Sequence, residues 1–143
     1  YGFAGSDGLI GNGGNDVFYG GLGQDFINGG AGADDFFFLR YDGANNEGGD
    51  TFADFTSGTD KITVSRFWFG FGNIGGPAAA LTAAHADFIN NGQAATNARP
   101  TFLYTTATRE LWFDSDGTGA TAATLLATLQ AGATISLSDI WTA

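Results

Sequence analysis

The sequence predicts an all-β fold: a parallel β-roll of stacked short coils, followed by a β-rich C-terminal cap with one or two short helices. Two observations predict it. A nine-residue glycine and aspartate repeat fills residues 2–37 without slipping register, and strand-length apolar runs recur through the rest of the 143 residues.

Four blocks adjoin: Gly2–Ile10 (GFAGSDGLI), Gly11–Tyr19 (GNGGNDVFY), Gly20–Asn28 (GGLGQDFIN) and Gly29–Phe37 (GGAGADDFF). Column one is Gly2, Gly11, Gly20 and Gly29, and column four is Gly5, Gly14, Gly23 and Gly32. Column six is Asp7, Asp16, Asp25 and Asp34, and column eight is Leu9, Phe18, Ile27 and Phe36. Six residues of glycine-rich turn therefore alternate with three of strand, whose middle side chain points inward. Turn, strand, turn, strand makes one coil. The turns need glycine because the backbone visits positive φ and its carbonyls converge closely.

Converging carbonyls and one carboxylate per turn suit an oxygen-seeking cation. Calcium takes six to eight oxygens in tolerant geometry, whereas magnesium holds its water and demands an octahedron. With no Cys and a lone His85, a dedicated zinc site lacks its ligands. Stacked turns would bring like charges to about 4.8 Å, a repulsion of about 1 kcal/mol per pair in water and more in a lower dielectric. Of 24 glycines, 12 fall in residues 1–37, which raises the entropy cost of ordering this segment. The ion-free roll is therefore expected to be unfolded, and ion binding to supply folding free energy.

Charge agrees with this reading. The formal net charge is −10, from 13 Asp and 2 Glu against 5 Lys and Arg, so nucleic acid and anionic membrane surfaces are repelled. No apolar run approaches the roughly 18 residues of a membrane span, so no membrane insertion is expected. Cysteine is absent, which leaves the redox compartment unread. Met is absent too, including at position 1, so we expect the chain to start within a longer product or after processing.

These residues resemble the repeats-in-toxin (RTX) family of hemolysin-type calcium-binding proteins. The resemblance implies that each ion sits between a turn and the turn two repeats later. One site would then be Gly2, Ala4 and Asp7 with Gly21, Gly23 and Asp25. The other would be Gly11, Gly13 and Asp16 with Gly30, Gly32 and Asp34. Phe3 and Asn12 replace the family's second glycine, and of the two only Asn readily tolerates the left-handed conformation.

Residues 38–143 are similar to the C-terminal cap that closes such rolls and often carries a type I secretion signal. The similarity implies first strands over residues 50–62 (DTFADFTSGTDKI), a short helical turn over residues 81–90 (LTAAHADFIN) and a terminal hairpin over residues 102–119. Candidate strands are the runs 36–39, 61–64, 102–104 and 111–113, while residues 121–130 fit strand or helix. A cap is physically needed, because two coils cannot bury their own ends.

Further candidate metal ligands are Asp42, Asp50 and Asp54, which would complete a site against the turn of Asp25. Asp114, Asp116 and Thr118 follow the first half of an EF-hand loop, yet position twelve is Leu125, so the stretch reads as a hairpin turn or a third ion site. Residues 70–75 (GFGNIG) match a dinucleotide fingerprint only as a string, with no βαβ unit around it. No hydrolase, zinc-protease or Walker motif is present, so no enzyme is expected within this chain. Two functions remain open. One is a calcium-binding C-terminal module of a larger exported bacterial protein, secreted or at the cell surface, that meets the type I secretion machinery unfolded. The other is a surface structural protein that assembles with itself or other surface proteins, an idea drawn from the rings of residues 66–71 (RFWFGF).

Overall fold

A computed structural model describes residues 1–40, 47–72, 78–91 and 94–143. Strands dominate. The roll supplies β1 (Gly8–Ile10), β2 (Val17–Phe18), β3 (Phe26–Asn28) and β4 (Asp35–Phe38). After it come β5 (Asp50–Phe52), β6 (Lys61–Val64), β7 (Ala79–Ala80), β8 (Asp87–Asn90), β9 (Thr101–Thr105), β10 (Glu110–Asp114), β11 (Thr124–Leu129) and β12 (Ile140–Thr142).

A nine-residue block is half a coil, so successive blocks send their strands to opposite sheets. One sheet runs β1-β3-β5-β11-β10-β9-β8 and the other β2-β4-β6-β12-β7. Pairing is parallel from β1 through β3 and β5 to β11, and from β2 through β4 and β6 to β12. Both sheets cross the boundary near residue 37 without interruption, so the cap strands extend the roll. Column eight faces inward as the spacing predicts: Phe18, Ile27 and Phe36 are buried, and Leu9 packs against the same core. Phe36 of one sheet meets Phe52 of the other with ring centroids 4.3 Å apart, which closes the coil over a shared apolar interior.

The cap departs from expectation in one segment. Within residues 81–90 the expected helical turn is confined to residues 82–86, where the N–H groups of His85 and Ala86 both donate to Thr82 O, and Asp87–Asn90 form β8, which pairs parallel with β9. His85 sits half-buried in that turn, with its Nδ1 3.3 Å from the Thr82 hydroxyl. The only helical element among the described residues is a 3-10 turn at Leu137–Asp139. The stretch left open at 121–130 is strand β11, fixed by β10 on one side and β5 on the other. The expected hairpin is present as β9 and β10.

The RFWFGF rings divide. Phe69 and Phe71 are buried against Phe102 and Phe113, while Phe67 and Trp68 are exposed. Gly70 and Gly72 of the GFGNIG string have positive φ, and its last three residues, 73–75, lie outside the described ones.

Candidate metal centre

Each turn of the roll lies on the turn two blocks later. Leu22 N–H donates to Phe3 O at 2.8 Å, Gly5 N–H to Leu22 O at 2.8 Å, and Phe26 N–H to Asp7 O at 2.8 Å. The second and fourth turns repeat this through Ala31 N–H to Asn12 O, Gly14 N–H to Ala31 O, and Asp35 N–H to Asp16 O. The fold thereby brings Gly2, Ala4 and Asp7 beside Gly21, Gly23 and Asp25. It brings Gly11, Gly13 and Asp16 beside Gly30, Gly32 and Asp34.

The close approach explains the glycines. Gly23 and Gly32 hold φ of 129° and 144°, and a Cβ on either would strike the carbonyl oxygen of Gly5 or Gly14. Column two takes φ of 74° at Phe3 and 72° at Asn12, matching 93° at Gly21 and 94° at Gly30. Phe3 is thus forced into the left-handed region that its side chain disfavours.

Column one lines a different space. A Cβ on Gly11 would come within 2.5 Å of Asp16 Oδ2, and one on Gly20 within 2.5 Å of Asp25 Oδ2 and 3.2 Å of Asp50 Oδ2. Gly2 and Gly29 stand in the same relation to Asp7 Oδ2 and Asp34 Oδ2. In all four turns that Oδ2 atom is buried and has no hydrogen-bond partner. The other oxygens of Asp25 and Asp34 are occupied: Asp25 Oδ1 accepts from Asp7 N–H at 2.8 Å, and Asp34 Oδ1 from Asp16 N–H at 2.9 Å. Burying one unpartnered anionic oxygen costs several kcal/mol. The same atom orphaned in four consecutive turns marks a place built for positive charge. Burial pushes the Asp34 carboxyl up, against the Asp16 N–H that lowers it, and the charges of Asp60, Asp16 and Asp54 raise it further.

Among the described residues no three His, Cys, Asp or Glu side chains converge, so the remaining donors at each pair of turns are backbone carbonyls. Neutral oxygens plus about two carboxylates fit calcium, with its tolerance for many oxygen ligands, and lack the nitrogen or sulfur a zinc site requires.

The cap continues the carboxylate series. Asp25 N–H donates to Asp50 Oδ1 at 3.0 Å, and Gly23 bridges Glu47, so Asp50 faces the turn of Asp25. Burial, with the charges of Asp25 and Glu47 behind it, pushes the Asp50 carboxyl up to about 7 despite the lowering Asp25 N–H. Asp54 does not join it. Its two oxygens accept from Gly29 N–H at 2.9 Å and Gly30 N–H at 2.7 Å, which places it on the fourth turn, because the chain has already crossed to the other sheet side by then. Asp42 lies outside the described residues.

Asp60 lies outside the nine-residue spacing, yet its Oδ1 accepts from Asp34 N–H at 3.0 Å. A signal existed. Asp50-Thr51-Phe52 and Asp60-Lys61-Ile62 repeat the Asp, any residue, apolar order of columns six to eight.

Asp114 and Asp116 stand apart from the roll. Asp114 Oδ1 accepts from Asp116 N–H at 3.2 Å and Gly117 N–H at 2.9 Å, and Asp116 Oδ2 accepts from Thr121 N–H at 3.1 Å, leaving Asp116 Oδ1 buried without a partner. Burial raises the Asp114 carboxyl, while the Thr121 N–H holds that of Asp116 low. Thr118 is exposed, and its N–H reaches Asn97 O at 3.1 Å. These bonds order a long loop between β10 and β11.

A two-sheet roll with oxygen-lined turns and orphaned carboxylates defines a calcium-binding parallel β-roll. Residues 1–36 match the RTX calcium-binding nonapeptide repeat in four copies, and this segment is a run of RTX repeats, a family that binds Ca2+. Such repeats occur in secreted bacterial proteins. No curated protein matches the chain. Among the described residues no helix is long and apolar enough to cross a membrane.

Proposed function

We propose that this chain is a calcium-triggered folding module of an exported bacterial protein, disordered where calcium is scarce and condensing outside the cell. The observation that carries this reading is the set of four buried, unpartnered Oδ2 atoms at Asp7, Asp16, Asp25 and Asp34. In this reading one ion is held by Gly2, Ala4 and Asp7 with Gly21, Gly23 and Asp25. A second is held by Gly11, Gly13 and Asp16 with Gly30, Gly32 and Asp34. Asp50 adds a carboxylate at the third turn, where its Oδ2 and that of Asp25 border one space. Calcium supplies the positive charge that neutralises these carboxylates. The chain's own part is to present turn carbonyls, those of Gly21, Gly23, Gly30 and Gly32 from left-handed backbone, and to exclude water behind Phe18, Ile27 and Phe36.

Passage through a type I secretion channel requires an unfolded chain, and calcium-dependent order reconciles that passage with a stable product. No catalytic role is assigned to these residues. Far-ultraviolet circular dichroism across a calcium titration tests the reading: strand signal should be low in chelator and rise with calcium. A full strand signal in chelator refutes it.

A second reading, assembly at a surface, draws on Tyr1, Phe3 and Phe67, which are 73%, 78% and 79% exposed. Sedimentation with and without calcium separates the two. A compact calcium-bound monomer favours the module, and calcium-dependent oligomers favour assembly.

A further inference from the structure

Two Asn–Gly pairs lie in the roll, Asn12-Gly13 and Asn28-Gly29. An Asn followed by Gly is the sequence context in which the next backbone nitrogen most readily reaches the side-chain amide carbon, because glycine has no Cβ to obstruct the approach. In this fold both nitrogens are engaged. Gly13 N–H donates to Gly11 O at 3.1 Å, and Asn12 O accepts from Ala31 N–H at 2.9 Å, so the peptide between them is held at both ends. Gly29 N–H donates to Asp54 Oδ1 at 2.9 Å, and Asn28 O accepts from Gly11 N–H at 2.9 Å. Asn12 is itself exposed, so only these bonds and the stacked turns restrain it.

We infer that Asn12 is a calcium-gated modification site, which deamidates when the roll opens and records the loss of calcium in the covalent chain. The inference rests on the proposed calcium dependence of folding. In the open chain, Gly13 N attacks Asn12 Cγ. The N–Cγ bond forms, the bond from Cγ to the amide nitrogen breaks, and ammonia leaves with the proton from Gly13. Water then opens the cyclic imide. Attack at Cγ yields aspartate, whereas attack at the Asn12 backbone carbonyl carbon yields isoaspartate, with the chain rerouted through Cγ.

Neither product suits the turn. Isoaspartate inserts one more carbon into the backbone between Gly11 and Gly13, whose carbonyls belong to the second cage. It also removes Asn12 O from the main-chain path, where Ala31 N–H and the bare Cα of Gly30 now meet it. Aspartate adds a charge to a turn that already carries Asp16. A chain left long without calcium thus loses its ability to close the second cage. Column two holds glycine in the third and fourth blocks, at φ of 93° and 94°, so Asn12→Gly removes the reactive amide while keeping a residue that accepts the φ of 72°.

The test holds the full chain at neutral pH in calcium, in chelator, and in chelator with urea, and follows Asn12 by peptide mapping with mass spectrometry. Dichroism is read on the same samples. Conversion at Asn12 should run in chelator at close to the urea rate, and roughly tenfold or more slower in calcium, as expected when reaction requires an opened segment. On return to calcium, the aged chelator sample should regain strand signal in proportion to the unconverted fraction, and N12G should lose less. An unchanged rate at Asn12 in samples that calcium demonstrably folds overturns the inference and leaves the folding reading intact. Slow conversion in chelator beside fast conversion in urea, or equal loss of refolding by N12G, also overturns it. A dichroism signal indifferent to calcium identifies failure of the folding reading instead.

Discussion

Asp50 Oδ1 accepts a hydrogen bond from the backbone N–H of Asp25 at 3.0 Å, the same bond that Asp25 Oδ1 accepts from Asp7 at 2.8 Å. Asp60 does the same for Asp34. Column six therefore continues past the last repeat, although the sequence step grows from 18 residues to 25 and 26. The cap supplies the next carboxylate of the ladder to each half of the roll.

Substituting Asp50 should consequently destabilise the roll beyond the cap. Asp50→Ala leaves the Asp25 N–H buried without an acceptor, a loss of about 1–3 kcal/mol. Denaturant unfolding in saturating calcium measures it. Asp50→Asn keeps an oxygen acceptor and should recover part of that loss, and equal stability of D50A and the parent chain would contradict the ladder.

The raised Asp50 carboxyl fixes the sign of a pH effect. Its folded value, about 7, lies above its ordinary 3.8, so the ion-free fold holds a proton there that the unfolded chain releases. Stability without calcium should therefore fall as pH rises from about 4 to about 7, at up to about 1.4 kcal/mol per pH unit. Calcium acts oppositely, since a cation favours the charged carboxylate. The calcium concentration at half-folding should rise as pH drops below 7, and D50N should weaken that dependence in titrations at paired pH values.

Phe3 is a strained residue at an exposed position. Phe3→Gly should relieve a left-handed cost of about 1 kcal/mol, partly offset by the greater freedom of glycine in the unfolded chain. The expected result is a lower calcium midpoint for F3G. A higher midpoint would show that the Tyr1 and Phe3 ring contact, with centroids 6.1 Å apart, outweighs the strain.

Two glycines with positive φ should respond unequally to Ala. Gly132, at 82°, has open space around its Cα, so G132A should cost only backbone strain of about 1 kcal/mol. Gly23 adds a collision with Gly5 O, and G23A should lose the first cage as well, seen as a reduced calcium stoichiometry in equilibrium dialysis.

The roll was legible in the sequence because its period is strict: each Asp, any residue, apolar triplet predicts which side chain turns inward, and Phe18, Ile27 and Phe36 obey. The same triplet at Asp60-Lys61-Ile62 is hidden in the sequence because the spacing of nine has lapsed, although strand pairing restores the register as Asp35 opposite Lys61. The cap was less legible. The run at Asp87–Asn90 is a strand because β9 offers it a partner, a tertiary effect that local propensity does not carry. Asp54 resembled a ligand by composition, yet its oxygens are taken by Gly29 and Gly30 N–H groups, which only the fold reveals.

Oδ2 of Asp7, Asp16, Asp25 and Asp34 is buried without a hydrogen-bond partner in every turn, an arrangement suited to a cation. A crystal structure of the chain grown with calcium tests it most directly. The predicted result is an ion in each pair of stacked turns, about 2.3–2.6 Å from these carboxylates and from turn carbonyls. Four aspartates turned to bulk water in calcium-saturated crystals, with no ion between the coils, would contradict it.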